Sequence, residues 1–178
     1  MNIFRANKYK NQGFTLLETM IYFTLLSIIL LVVVDLFFRI SESSLESSTK
    51  NALETEGKYV LNRIAYDIHR LDLNNGDILW APLNPGDSTP YLIAKINTKN
   101  YIYLKNPNDG EIIFGEFFIV IDRLTSNSVR LDNPMSFTHI SNPGGKPTIK
   151  VEFTLKSTTQ SKDGTFESRD FESVFSVR

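Results

Sequence analysis

The residue whose type and position most strongly suggest chemistry is an acid inside the longest apolar stretch of the sequence. Glu18 is the only charged side chain among the 21 residues of the range 14–34. A carboxylate in a membrane-spanning helix costs about 2–3 kcal/mol on insertion scales, and less near the end of the helix than at its centre. Such an acid has a partner or a function, or else it snorkels to the membrane interface.

Other chemistry is poorly supported by the available side chains. The chain has no cysteine and two histidines, His69 and His139, which excludes disulfides, thiol catalysis, Cys-ligated zinc and multi-histidine metal sites. We expect His69 to be partly exposed on a helix and His139 to be a structural residue of a loop-rich stretch. The acids in 108–110 and 163–164 are more typical of hairpin corners than of calcium loops. Because nucleophile, P-loop and dinucleotide motifs are also missing, the sequence predicts a protein that is not an enzyme, with no cofactor and no metal.

The apolar stretch around Glu18 is long enough to cross a membrane as a helix. At 1.5 Å per residue, 21 residues span roughly 31 Å, close to the ~30 Å hydrocarbon core of a bilayer. A buried helix of a soluble domain rarely has 15 consecutive residues without an ionisable group, as residues 20–34 do. The run is also not followed by the small-x-small cleavage site of a secretory signal. We therefore predict a transmembrane helix over residues 14–34.

Charge on the two sides of this helix predicts its orientation. Arg5, Lys8 and Lys10 give +3 before it, and the four charged residues of 35–46 sum to −2 after it. Because basic flanks stay in the cytoplasm, the N-terminus is expected inside and the C-terminal bulk outside. The sequence thus predicts a single-pass protein of the cytoplasmic (inner) membrane.

The residues around Glu18 also form a motif. Residues 13–18 read Gly-Phe-Thr-Leu-Leu-Glu, after a short basic stretch and before an apolar run. This arrangement resembles the class III signal of type IV pilins and type II secretion pseudopilins. The resemblance implies a leader over residues 1–13, removed by a prepilin peptidase that cuts between Gly13 and Phe14. It further implies N-methylation of Phe14 and identifies Glu18 as the assembly glutamate of the family.

Elementary electrostatics accounts for the residue types in this motif. A glycine at the cut has no side chain to obstruct the protease. Cleavage creates an α-amine on Phe14, and methylation keeps its positive charge. In surroundings of low dielectric constant, pairing of this amine with Glu18 of a neighbouring subunit is favoured. The implied partners are the prepilin peptidase, other pilin or pseudopilin subunits bound through the N-terminal helix, the inner-membrane assembly platform and the lipid bilayer.

The helix is expected to continue beyond the membrane as an amphipathic segment over residues 35–71. Apolar or small residues recur there at spacings of three and four and form one stripe: Leu53, Gly57, Val60, Leu61, Ile64, Ile68 and Leu71. Asp67 belongs to the polar positions beside this stripe. Residues 72–90 are rich in turn formers and are predicted to be a connecting loop, with 78–80 as a candidate short strand.

Residues 91–178 change to a period of two, which predicts an antiparallel β-sheet head. Strands are expected at 91–97, 101–105, 112–124 and 128–131, with a hairpin turn at 106–110 and a bulge at Gly115. The clearest alternation runs from Ile149 to Leu155, and Phe171, Phe175 and Val177 continue it in a final strand. The fold class is therefore α+β: a pilin fold with a long N-terminal helix packed on a C-terminal antiparallel sheet.

Weaker similarities indicate the branch of the family. Residues 59–71, 124–137 and 171–178 resemble accessory subunits of the J-type pseudopilin or W-type minor pilin kind. The chain lacks the membrane-helix proline and the cysteine pair that many major pilins carry, and both absences favour a minor subunit. The presence of Glu18 argues against the tip-capping pseudopilin, which typically lacks this acid.

These observations predict a non-enzymatic minor subunit of a type IV pilus or a type II secretion pseudopilus, acting in initiation or at the tip. The alternative is a membrane-tethered, outward-facing domain that binds a ligand or partner and shares only the export signal. The net charge of −1 provides no basic field that could bind phosphates. Without the leader the chain has 16 Lys and Arg against 20 Asp and Glu, so its net charge is more negative still. No nucleic-acid partner is therefore predicted.

Overall fold

The computed structural model describes residues 15–72, 75–82, 84–116, 119–140, 145–161 and 163–177. The chain divides into two compact units, residues 1–44 and 45–178. Helix α1, Leu16–Arg70, contributes to both units. It has no proline and a single glycine, and its end lies one residue before the predicted one. The polar stretch 41–50, which has no apolar periodicity of its own, is helical throughout.

The second unit contains the β-structure. Within the described residues, ten strands follow α1 in the order β1 Ile78–Ala81, β2 Ser88–Thr89, β3 Leu92–Ile96, β4 Lys99–Lys105, β5 Ile112–Glu116, β6 Ile119–Arg123, β7 Val129–Leu131, β8 Ser136–Ile140, β9 Thr148–Gln160 and β10 Phe166–Ser176. One five-stranded sheet has the order β1-β3-β4-β5-β6. The other has the order β10-β9-β8-β2, with β7 also paired to β9. The pairings are antiparallel.

The predicted α+β class is confirmed, although the strands form two sheets instead of the single sheet expected. Strands β1 and β2 lie within the range 72–90, for which the composition indicated a loop. A strand of two residues such as β2 has no detectable alternation, so its pairing with β8 could not be read from sequence. The candidate short strand at 78–80 is present as β1, whereas β2 and β8, both in the second sheet, were not predicted.

The expectation of one long strand over residues 112–124 is wrong. This segment folds back on itself as β5 and β6, and Gly115 pairs with Val120. The register shifts between Phe114 and Gly115, so the expected bulge is present. A Cβ on Gly115 would lie 2.7 Å from the carbonyl oxygen of Ile119, which explains why glycine stands at this close approach. The hairpin escaped prediction because the segment contains no Asn-Gly, Asp-Gly or proline turn signal.

The apolar stripe of α1 forms one side of the core of the second unit. Leu53, Val60, Ile64, Ile68 and Leu71 are at most 2% exposed, as predicted, whereas Leu61 is only partly buried. The alternating residues of β9 are buried too, and the remainder of the core comes from both sheets. Helix and sheets thus bury one common apolar face.

Gly57 lets an aromatic ring of the sheet approach the helix. A Cβ on this residue would lie 2.1 Å from Cζ of Phe171 in β10. The Phe171 ring also stacks on Phe153 of β9, with 5.2 Å between the ring centroids. Two polar contacts also join the helix to the β-structure. Arg169 donates to Glu54 at 2.8 Å, and the Ser126 backbone N–H donates to Glu56 at 3.0 Å.

A buried polar group joins α1 to the first sheet. Asp67 was assigned by its position to the polar side of the helix, but it is 2% exposed. The Tyr103 hydroxyl of β4 donates to Asp67 Oδ2, and Arg63 Nε lies 3.5 Å from the same oxygen. Burial, together with the neighbouring Asp67 carboxylate, raises the pKa of Tyr103. The helix face that contacts the sheets is therefore wider than the apolar stripe indicated.

The two histidines have different environments. His69 is exposed on α1, as predicted, and its Nδ1 lies 3.1 Å from the carbonyl oxygen of Ser176. His139, expected to be a structural residue of a loop-rich stretch, is a buried residue of strand β8, opposite Ile149 of β9. The proline and glycines that follow it gave its surroundings a loop-like composition.

Candidate functional site at the start of the helix

The candidate site is the first turn of α1, around Glu18. Gly13 and Phe14 lie outside the described residues, as do the leader charges Arg5, Lys8 and Lys10. The structure therefore tests none of these five assignments. What it describes is the environment of Glu18 and the apolar helix that follows.

Thr15, the second residue after the predicted cleavage point, caps the start of the helix. The Glu18 backbone N–H donates to Thr15 Oγ1 at 3.3 Å, and the Thr19 N–H donates to the Thr15 carbonyl oxygen at 3.2 Å. A threonine at the N-cap with a glutamate three residues later has the spacing of a capping box. Glu18 thus lies in the first turn, where the helix dipole favours a negative charge.

Tyr22 is a residue of this site that the sequence interpretation missed. Its hydroxyl donates to Glu18 Oε1, with 3.1 Å between the oxygens. Residues four apart lie on the same face of a helix, so the helix alone is enough to bring the two side chains into contact. The spacing of four residues between the acid and the tyrosine hydroxyl could have indicated this contact. The contact was missed because Tyr22 was counted among the apolar residues of the run.

Other hydroxyl groups of the apolar stretch bond to the helix backbone itself. Thr19 donates to the Leu16 carbonyl at 2.8 Å, Thr24 to the Met20 carbonyl at 2.5 Å and Ser27 to the Phe23 carbonyl at 2.8 Å. Such bonds satisfy polar side chains within one helix, as a hydrocarbon environment requires. Glu18 differs from these hydroxyl residues. Its carboxylate can only accept hydrogen bonds, and a hydroxyl donor does not neutralise its charge.

The apolar side chains of this helix segment cover a large exposed surface. The large hydrophobic residues between Leu16 and Val34 are 43–81% exposed. By length and composition α1 can span a membrane near its N-terminus, and none of its most apolar stretch is buried. A surface of this kind on a water-soluble protein would be an aggregation site, so lipid or other helices must cover it.

The described residues show no arrangement for metal chemistry. Within them, no group of three or more His, Asp or Glu side chains is placed to hold a metal ion. Near residues 108–110, Arg123 Nη1 lies 2.7 Å from Glu111 Oε2 and 3.8 Å from Asp109 Oδ2. The acids of this turn therefore face a cationic side chain of the same unit.

Comparison with known proteins identifies the N-terminal region. A family model described as the prokaryotic N-terminal methylation motif matches residues 8–34. No curated protein and no solved structure gives a significant match to the chain. The matched region includes Gly13, Phe14, Glu18 and the apolar stretch. It supports a prepilin-like chain of the type IV pilin or pseudopilin kind.

Proposed function

We propose that this prepilin-like chain is a minor pilin or pseudopilin subunit without enzymatic activity. A prepilin peptidase cleaves it between Gly13 and Phe14, the amine of Phe14 is methylated, and the N-terminal helix then assembles into a type IV pilus or a type II secretion pseudopilus. The observation that carries the proposal is the match to the methylation motif over residues 8–34. Glu18 stands in that match, in the first turn of an exposed apolar helix.

The assembly step follows from the charges at the helix start. Before cleavage Phe14 is part of a peptide bond and has no positive charge to offer. After cleavage its methylated amine is a cation, and Glu18 of the adjacent subunit is the acid available in an apolar environment. Forming this pair removes two uncompensated charges from lipid-like surroundings at once. Processing therefore converts a membrane anchor into a subunit competent for assembly.

The topology of the precursor follows from the leader. Arg5, Lys8 and Lys10 hold the N-terminus on the cytoplasmic side of the inner membrane, and the head lies outside. The lipid bilayer covers the exposed apolar side chains until the inner-membrane assembly platform transfers the helix to a filament. There, helices of other subunits replace lipid on the same surface.

The branch within the family is proposed from sequence. The stretches 59–71, 124–137 and 171–178 support an accessory subunit of the J-type or W-type. The absence of proline in 14–34 and of any cysteine agrees with a minor subunit. We place its action at initiation or at the tip, where few copies are needed.

Incorporation of a Glu18→Ala variant tests this function. Tagged wild-type and variant chains are each expressed beside the untagged protein, and filaments are separated from membranes. We expect both chains to be processed and the wild-type chain to enter the filament fraction, whereas incorporation of the variant is strongly impaired but still measurable. Two results would overturn the proposal: normal incorporation of Glu18→Ala, or a wild-type chain that remains in the membrane whenever filaments form. The second result is the one expected of a tethered binding domain.

A further inference from the structure

We propose that Tyr22 is the positioning residue for Glu18 during assembly. Its phenol hydroxyl holds the carboxylate in one orientation on the helix surface, ready for the amine of an incoming subunit. The inference rests on the proposed function, since it assigns a second residue to the same assembly step. Tyr22 lies outside the stretch 13–18 that carries the family resemblance.

The Tyr22 hydroxyl contacts the Glu18 carboxylate within a single helix. Glu18 Oε1 and the Tyr22 hydroxyl are 3.1 Å apart, within the range of a hydrogen bond. The two residues are one helical turn apart, so the contact is present in a single subunit before any partner arrives. Glu18 is partly buried, while the large apolar side chains around it are exposed. A flexible glutamate side chain thus loses part of its rotamer freedom before assembly and not during it.

A phenol hydroxyl is a neutral donor, so it leaves the negative charge of Glu18 in place. An ionised carboxylate has about four lone-pair positions and accepts only. A phenol hydroxyl occupies one of them without cancelling the charge, so the remaining positions stay available to an ammonium group. A lysine or arginine at position 22 would instead form an ion pair within the subunit and would compete with the incoming amine. A neutral donor is the type of residue that stabilises the acid and still leaves it reactive toward a cation.

Exposed apolar side chains surround Glu18 and Tyr22 on the helix. A hydrogen bond to a charged group is stronger where water is scarce, and the side chains near Glu18 become covered by lipid or by neighbouring helices. Tyrosine suits such a place because its ring tolerates an apolar environment while its hydroxyl needs a partner. Here that partner is the carboxylate four residues earlier.

The test is a double-mutant cycle on the full-length chain, with incorporation into filaments as the readout. Tyr22→Phe removes one oxygen and keeps the ring. We expect it to lower incorporation about tenfold, in line with a hydrogen bond to a charged acceptor, while membrane insertion and processing stay at wild-type level. Thr24→Val is the matched control, because it removes a hydroxyl from the same stretch that bonds to the Met20 carbonyl and not to Glu18. We expect it to incorporate within about twofold of wild type.

Coupling to Glu18 separates positioning from a packing role. In the Glu18→Ala background, adding Tyr22→Phe should cause no further loss, since the hydroxyl then has no carboxylate to hold. Wild-type incorporation of Tyr22→Phe, or an equal loss with and without Glu18, would overturn the inference. Failure of the proposed function is recognised separately, because Glu18→Ala alone would then incorporate normally.

Discussion

At the scale of single residues, the least expected feature is a carboxylate in the contact between helix and sheet. Asp67 is 2% exposed and is held by the Tyr103 hydroxyl and the Arg63 guanidinium. Arg63 in turn lies over the Phe114 ring, 4.7 Å from its centroid. A buried acid is costly unless each of these partners is in place. The network therefore depends on residues that are far apart in sequence.

We predict that Tyr103→Phe destabilises the protein by about 1–3 kcal/mol, because the hydroxyl that donates to a buried carboxylate is lost while the acid remains. Chemical denaturation of the full-length protein in detergent, followed through the β-structure, measures the change. Tyr91→Phe is the matched control, since Tyr91 is 40% exposed, and it should stay within about 0.5 kcal/mol of wild type. An equal effect of the two substitutions would contradict the assigned role of Asp67.

The same pair predicts a pH dependence in alkali. Burial and Asp67 raise the pKa of Tyr103 above the ordinary tyrosine value of 10.0. Above that pH the unfolded chain releases the phenol proton while the folded chain retains it, so stability falls as the pH rises. Unfolding free energies measured between pH 8 and about 11 should decrease less steeply for Tyr103→Phe than for wild type. Parallel curves for the two proteins would contradict the shifted pKa of Tyr103.

At the scale of elements, the contact between α1 and β10 depends on the smallest residue of the helix. Gly57 leaves room for the Phe171 ring, which packs on the helix and on Phe153 at the same time. A glycine inside a helix normally costs up to about 1 kcal/mol relative to alanine. Its presence is explained by the ring that occupies the space of a side chain.

We predict that Gly57→Val destabilises the second unit by about 1–3 kcal/mol, because the added methyl groups overlap the ring. Ser47→Val, at an exposed position of the same helix, controls for valine in a helix and should have little effect. Adding Phe171→Leu to Gly57→Val should restore part of the lost stability, whereas Phe171→Leu alone should reduce it. If the changes in unfolding free energy of the two single variants add up to that of the double variant, the two residues do not compete for space.

Elements were predictable from sequence where their signal is local. The stripe from Leu53 to Leu71 and the alternation in β9 each repeat several times, and both were predicted correctly. The turn between β5 and β6 has no sequence signal, and the pairing of β2 with β8 joins segments far apart in the chain. Assignment of strands to two sheets depends on such pairings, so local periodicity could not provide it.

At the scale of the whole molecule, the signal for the candidate site lies in one short stretch of sequence, whereas the fold depends on contacts between distant segments. A basic stretch, Gly13 and an acid in an apolar helix occur within 18 consecutive residues, and the resemblance to the prepilin signal rests on these residues. Tyr22 was missed because its role depends on which atom its hydroxyl contacts. The burial of Asp67 was missed because the position of a residue along a helix shows which face it lies on. It does not show how much of the helix surface the sheets cover.

We propose that the chain is a precursor whose mature N-terminus is Phe14. Mass spectrometry of the N-terminal peptide, from cells in which a companion pilin is processed, tests it most directly. Removing 13 of the 178 residues leaves 165, and we predict that this form begins with N-methylated Phe14. A Gly13→Leu variant should retain the leader, because a bulky side chain at the cut obstructs the peptidase. A wild-type chain that keeps Met1 in those cells would contradict the account.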